Sequence, residues 1–187
     1  MITKDEIREQ NKNLRKNMSR NDVETKSQVT AELFLKSELY AVSRQIMLYM
    51  PLGNEMDLTK VKNVALADGK RVVFPVTERN TGIITPIYVD EKTMFERGNF
   101  SVMEPQSTDI TDMTKTDVVL VPGIAFDKSG ARVGFGKGCY DMLLERYSGV
   151  KIGVCYDFQI CYKIPADTHD VRMDYILTES GLKKCED

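Results

Sequence analysis

Residues 121–141 read VPGIAFDKSGARVGFGKGCYD, and this stretch decides the fold. On its left, the apolar run 118–121 is closed by Pro122, the pattern of a short buried strand. On its right, Leu143, Leu144 and Tyr147 follow at helical spacing. Between them lies a loop holding Gly123, Gly130, Gly134, Gly136 and Gly138. Strand, loop and helix in succession are the unit from which parallel sheets are built.

The same alternation extends outward in both directions. Toward the C-terminus, residues 151–156 and 174–178 read as further strands. Toward the N-terminus, residues 45–50 form an apolar run closed by Pro51, followed by a helix through about residue 68 that Asp57 or Thr59 caps and Gly69 stops. Residues 71–74 and 83–89 are β-rich, whereas 101–116 are polar and expected to be loop-rich. Two helices precede the sheet. The first carries Ile7, Leu14 and Met18 as a thin apolar stripe, and the second carries Val23, Val29, Leu33 and Leu35 and ends before Tyr40. The expectation is one α/β domain over residues 1–187, three layers deep, with a mostly parallel sheet flanked by helices.

The glycine loop also carries chemistry. Glycines let backbone N–H groups approach an anion closely, a helix start adds positive potential, and Arg132 and Lys137 add mobile charge. A polyphosphate suits that set. The spacing is neither that of a P-loop nor that of a dinucleotide fold, so a flexible turn is the plain alternative.

Composition removes several function classes. A net charge of −2 gives no global field for nucleic acid. The six basic residues among the first twenty are interspersed with acids and lack an aromatic platform for RNA. His169 is the sole histidine, which removes multi-histidine metal sites and leaves little room for His-dependent triads. As a loop residue beside Asp170 it is read as structural or incidental. Four cysteines show no CxxC spacing, and the start of the chain lacks the apolar core of a secretory signal. No apolar run reaches the ~20 residues that span a bilayer. A cytoplasmic monomer acting on a small molecule, with no membrane or nucleic-acid partner, is expected.

The segment PGIAFDKSGARVGFGKGCYD resembles the signature of the 5-formyltetrahydrofolate cyclo-ligases, also called methenyltetrahydrofolate synthetases. Lys4 with Arg8, residues 50–55 and the closing segment FQICYKIPADTHDVRMDYILT support the resemblance, which thus covers essentially the full chain. It implies that Lys4 and Arg8 help bind ATP and that Arg132, Gly134, Phe135, Gly136, Lys137, Gly138 and Tyr140 wrap its phosphates. It implies that Asp141 and Asp170 serve Mg²⁺, and that Met50 and Glu55 contact the folate, with or without a polyglutamate tail. The local pattern leaves plainer readings open. Lys4 and Arg8 are an i, i+4 pair that could be a solvated face beside Asp5 and Glu9. Asp141 could complement a helix dipole, Asp170 could be an ordinary loop acid, Met50 could be core and Glu55 solvent-facing. The family's Gly-Tyr-Tyr-Asp appears here as Gly138-Cys139-Tyr140-Asp141, so one aromatic is replaced by a thiol.

The implied reaction closes 5-formyltetrahydrofolate to 5,10-methenyltetrahydrofolate at the expense of ATP, through a phosphorylated formyl oxygen. Arg132 and Lys137 are its expected catalytic cations, and no covalent enzyme nucleophile is needed. Two rivals stand beside it: a kinase-like transferase with another acceptor, and a module that binds without turnover.

Overall fold

Side chains alternate across a strand, so the short apolar runs of this chain must feed two cores rather than one. In the computed structural model, which describes residues 2–165 and 167–186, they do. The elements follow in the order α1 (Lys4–Lys16), α2 (Arg20–Leu35), α3 (Glu38–Val42), β1 (Gln45–Met47), α4 (Thr59–Ala67), β2 (Arg71–Thr77), β3 (Ile84–Val89), β4 (Phe95–Arg97), β5 (Met103–Pro105), β6 (Val118–Pro122), β7 (Ala125–Asp127), β8 (Arg132–Val133), α5 (Cys139–Leu144), β9 (Val150–Val154), β10 (Ile160–Cys161), β11 (Tyr175–Thr178) and β12 (Gly181–Lys184). Ala166, inside the closing segment that resembles the family, lies outside the described residues, as do Met1 and Asp187.

The main sheet has seven strands in the order β12-β11-β9-β6-β1-β2-β3. The five central strands run parallel, and β3 and β12 pair antiparallel at the edges. Ile46 stands between Val72 and Val118, and Met47 between Val73 and Val119. Ile46, Val72, Phe74 and Leu120 therefore face α2 and α4, where Phe34 and Val61 are fully buried. Met47, Val73, Val119 and Val121 face the opposite way, onto Leu144 of α5 and Phe126 of β7. Each such fully buried large side chain contributes about 1.5–3 kcal/mol. These are the expected three layers.

Both N-terminal helices bury the expected stripe only in part. On α1, Ile7 is buried as expected, but it is joined by Asn11 and Arg15, while Leu14 is 54% exposed; Met18, beyond the helix end, packs on the core. Ile7 packs on a small sheet, β10-β7-β8, whose strands β7 and β8 lie inside the stretch read as loop. On α2, Leu33 and Leu35 pack on the core as expected, but the buried positions are Ser27, Thr30, Ala31 and Phe34, and Val29 is exposed. Tyr40 falls within the short helix α3. The loop-rich reading of 101–116 omitted β5, which pairs with β4 as a separate hairpin. The cap of α4 follows expectation in part: Asp57 Oδ1 accepts the Thr59 N–H at 2.8 Å, and Gly69 closes the helix with φ +74°.

Candidate active site

From β1 the chain moves to β2 on one side, and from β6 it moves to β9 on the other. The loops leaving the carboxyl ends of β1 and β6 consequently diverge and open a crevice, the place where open α/β sheets bind ligands. A cavity of about 610 Å³ occupies it, within the range of ~300–1,000 Å³ usual for small-molecule sites. Every residue singled out from the sequence lines this cavity: Lys4 and Arg8 from α1, Met50 and Glu55 after β1, Arg132 through Gly138, Tyr140 and Asp141, and Asp170.

One wall is the glycine loop. Arg132 sits on β8 rather than in open loop, with its side chain 8% exposed. Its Nη2 donates to Asp141 Oδ2 at 2.9 Å and its Nη1 to the Pro122 carbonyl at 3.4 Å, while Nε is buried without a partner. Its guanidinium also lies 5.7 Å from the Tyr140 ring centroid. A Cβ at Gly134 would stand 2.7 Å from Arg132 Nη1 and would push the guanidinium from its present place. Gly136 has φ +99°, in the region that favours glycine. Arg8 Nε donates to the Gly134 carbonyl at 2.9 Å, fastening α1 to the loop; Arg8 also pairs with Asp5. Among the described residues, the amides of residues 135–138 donate to no backbone carbonyl, which leaves them free for an anion. The helix that follows has only six residues. The anion-binding potential therefore comes mainly from amides and side-chain cations rather than from a helix dipole.

The acids expected to serve a metal are each held by a cation. Lys4 Nζ lies 2.6 Å from Asp170 Oδ2 and 2.7 Å from Asp167, in place of the solvated face with Glu9. Burial opposes the Lys4 charge, but its hydrogen bonds to the two aspartates raise its pKa overall. Burial likewise opposes the Asp170 charge; the Lys4 hydrogen bond and the Asp167 N–H outweigh it and lower the carboxyl. Asp141 pairs with Arg132 and accepts the Val171 N–H at 3.4 Å, which draws the closing segment toward α5. Asp141 and Asp170 also share a shallow recess with His169. Among the described residues, no group of three or more His, Cys, Asp or Glu could hold a metal ion. Mg²⁺ typically takes one or two carboxylates and completes its shell with phosphates and water, and this pair fits that role.

The opposite wall comprises Met50, Glu55 and the β4–β5 hairpin. Met50 is half-buried, lines the cavity and also packs on the core. Glu55 is not solvent-facing: it is 5% exposed, and burial pushes its carboxyl up against the opposing pull of Arg15. Glu104 Oε1 accepts the Thr77 N–H at 3.1 Å and Oε2 the Asn99 N–H at 3.3 Å, which clamps the hairpin to β2. The hairpin presents Phe100, whose ring lies 3.9 Å from Lys137 Nζ. Sequence reasoning missed Phe100, Glu104 and Asp167, all of which line the cavity; none carries a local motif. Cys139 also lines it, and a Cβ at Gly82 would stand 3.1 Å from its sulfur.

Fold and cavity define a class: an α/β protein with a ligand crevice at the carboxyl ends of its parallel strands. The chain belongs to the 5-formyltetrahydrofolate cyclo-ligase family, whose model matches residues 1–179. A 5-formyltetrahydrofolate cyclo-ligase from Mycolicibacterium smegmatis is 33% identical over 149 residues, covering 76% of this chain and 77% of the relative. The solved structure of a 5,10-methenyltetrahydrofolate synthetase from Aquifex aeolicus shares 31% identity, covers 100% of this chain and 94% of that one, and superposes with a TM-score of 0.88. Another, from Mycoplasma pneumoniae, is 26% identical with a TM-score of 0.76, covering 95% of this chain and 99% of that one.

Proposed function

We propose that this protein cyclises 5-formyltetrahydrofolate to 5,10-methenyltetrahydrofolate with conversion of ATP to ADP and phosphate. The observation that carries the reading is convergence: Lys4 and Arg8, Met50 and Glu55, residues 132–141 and Asp170, far apart in the chain, line one cavity, and the family is shared. In the proposed reaction the formyl oxygen attacks the γ-phosphorus of ATP, and the bond to ADP breaks. N10 then attacks the activated formyl carbon, phosphate departs with the former formyl oxygen, and the N10 proton passes to solvent. ATP thereby drives a dehydration.

The roles assigned to the chain are binding and orientation. Lys4, Arg8, Arg132 and Lys137, with the free amides of the glycine loop, take the polyphosphate, while Tyr140 packs beside Arg132. Met50 and Glu55 take the folate. Asp141 and Asp170 would hold Mg²⁺, which supplies neutralisation of charge on the phosphate oxygens. Placing Arg132 and Lys137 where charge develops on the transferred group accounts for catalysis without an enzyme nucleophile. We assign a monomer. The four free cysteines accord with a reducing cytoplasm, and no helix among the described residues is long and apolar enough to cross a membrane.

The test is absorbance of the methenyl chromophore after mixing protein, 5-formyltetrahydrofolate, Mg²⁺ and ATP. A rise that requires both ATP and Mg²⁺ is expected. No rise from folded protein that still binds both ligands would overturn the reading in favour of binding without turnover or another phosphoryl acceptor.

A further inference from the structure

Glu55 is held in the cavity wall with one of its carboxylate oxygens unsatisfied. Its Oε2 accepts the Leu52 N–H at 2.9 Å, but Oε1 is buried and receives no hydrogen bond. Arg15 Nη1 lies 3.3 Å from Oε1, an ionic contact whose alignment falls short of a hydrogen bond. A buried carboxylate oxygen left without a donor is costly, and in a native protein it calls for a reason. Arg15 is itself an oddity. It is 7% exposed on the buried stripe of α1, where an apolar residue would pack more cheaply. Its remaining contacts hold it in place. Nη1 reaches the Gly123 carbonyl at 3.5 Å, and the guanidinium lies 5.8 Å from the Phe135 ring centroid. Asn54 Nδ2 donates to the Arg15 carbonyl at 3.0 Å, tying the turn before Glu55 to the end of α1.

We infer that Arg15 is a positioning residue for folate binding: from behind the cavity wall it holds the Glu55 carboxylate in place, so that Oε1 is left to accept an N–H of the substrate. The inference rests on the proposed function and extends it to a residue outside the ligand's reach. The pteridine ring of a folate offers an amino group and a ring amide as N–H donors, the chemistry an unfilled carboxylate oxygen recognises. Burial alone would drive Glu55 toward its neutral form, and Arg15 opposes that. The other titratable groups coupled to this carboxylate are the hydroxyls of Tyr49, Tyr140 and Tyr156, from the segments after β1 and β9 and from α5. None of them supplies a positive charge, so Arg15 is the cation that opposes the effect of burial on Glu55.

The experiment is a double-mutant cycle of Arg15→Met and Glu55→Gln, read as KM for folate, KM for ATP and kcat. Arg15→Met is expected to raise KM for the folate about tenfold, with kcat and KM for ATP within about twofold of wild type. Adding it to Glu55→Gln should change the folate KM by less than about twofold, because Arg15 acts through Glu55. Multiplying effects, or an equal rise in KM for ATP through the Phe135 contact, would overturn the inference. Arg15→Lys is the second variant if the methionine does not fold. It keeps the charge, and its folate KM should stay within about threefold of wild type, whereas a tenfold rise shared with ATP counts against the inference. Calorimetric binding of 5-formyltetrahydrofolate to the same variants needs no turnover. An inactive wild type whose folate binding still depends on Arg15 would sink the proposed reaction and spare the positioning role; an active wild type with binding indifferent to Arg15 would do the reverse.

Discussion

At Arg132 one guanidinium meets an acid, a carbonyl and an aromatic ring, and it still has a buried N–H to spare. The spare donor suits an incoming phosphate oxygen. Replacing Arg132 by alanine removes that donor and leaves Asp141 without its cation. Turnover is expected to fall about 10²–10³-fold, the usual cost of one donor aimed at developing charge. Because the pair is largely buried, stability should fall as well, by about 1–3 kcal/mol. Steady-state rates and thermal melting of Arg132→Ala check both, and wild-type turnover would remove Arg132 from the site. Arg132 was legible in the sequence because glycines surround it. Arg15 was not: in the sequence it is one of six cations in the first twenty residues, and only the geometry of α1 turns it inward.

The hairpin β4–β5 shows how an element without a sequence signature can build a wall. Phe100 and Ser101 have φ of +56° and +61°, a conformation that costs side-chain-bearing residues about 1–2 kcal/mol each. Glu104 offsets that strain by accepting two N–H groups, from Thr77 and Asn99, and Asn99 Nδ2 returns a bond to the Thr77 carbonyl at 2.9 Å. Glu104→Ala should leave both amides unpaired and free the hairpin. Amide hydrogen exchange across residues 95–105 is expected to accelerate at least about tenfold while the central strands β1 and β6 stay protected; unchanged exchange would show that the clamp is dispensable. The parallel strands and the helices following β1 and β6 could be read from apolar runs, caps and stops. The small strands β7, β8 and β10 could not, since two or three residues show no periodicity and glycines mask the rest. On α1 the expected stripe failed at Leu14, which fits a helical spacing that packing on β7 and β8 does not use.

Over the whole molecule, the pair Lys4–Asp170 joins the first turn of α1 to the closing segment. A lowered carboxyl lends stability above its unfolded pKa, near the ordinary 3.8, and loses it as pH falls through the lower folded value. A raised ammonium lends stability below its ordinary 10.5 and loses it as pH rises through its higher folded value. The pair therefore contributes fully between those limits. Lys4→Met should melt at a lower temperature than wild type at pH 7, and the gap should close as pH falls through the lowered Asp170 value and the carboxylate takes its proton. A gap that persists there would mean the side chain matters through packing. The partners are 166 residues apart in sequence. A ribosome delivers α1 and the parallel strands β1, β2, β6 and β9 before Asp170, with β11 and β12 following it, so the nascent chain can build most of its sheet while one corner of the crevice still lacks its acid. Synthesis thus imposes an order of assembly in which scaffold precedes pocket, and a chain arrested short of Asp170 would be folded in its centre yet unable to close around a ligand.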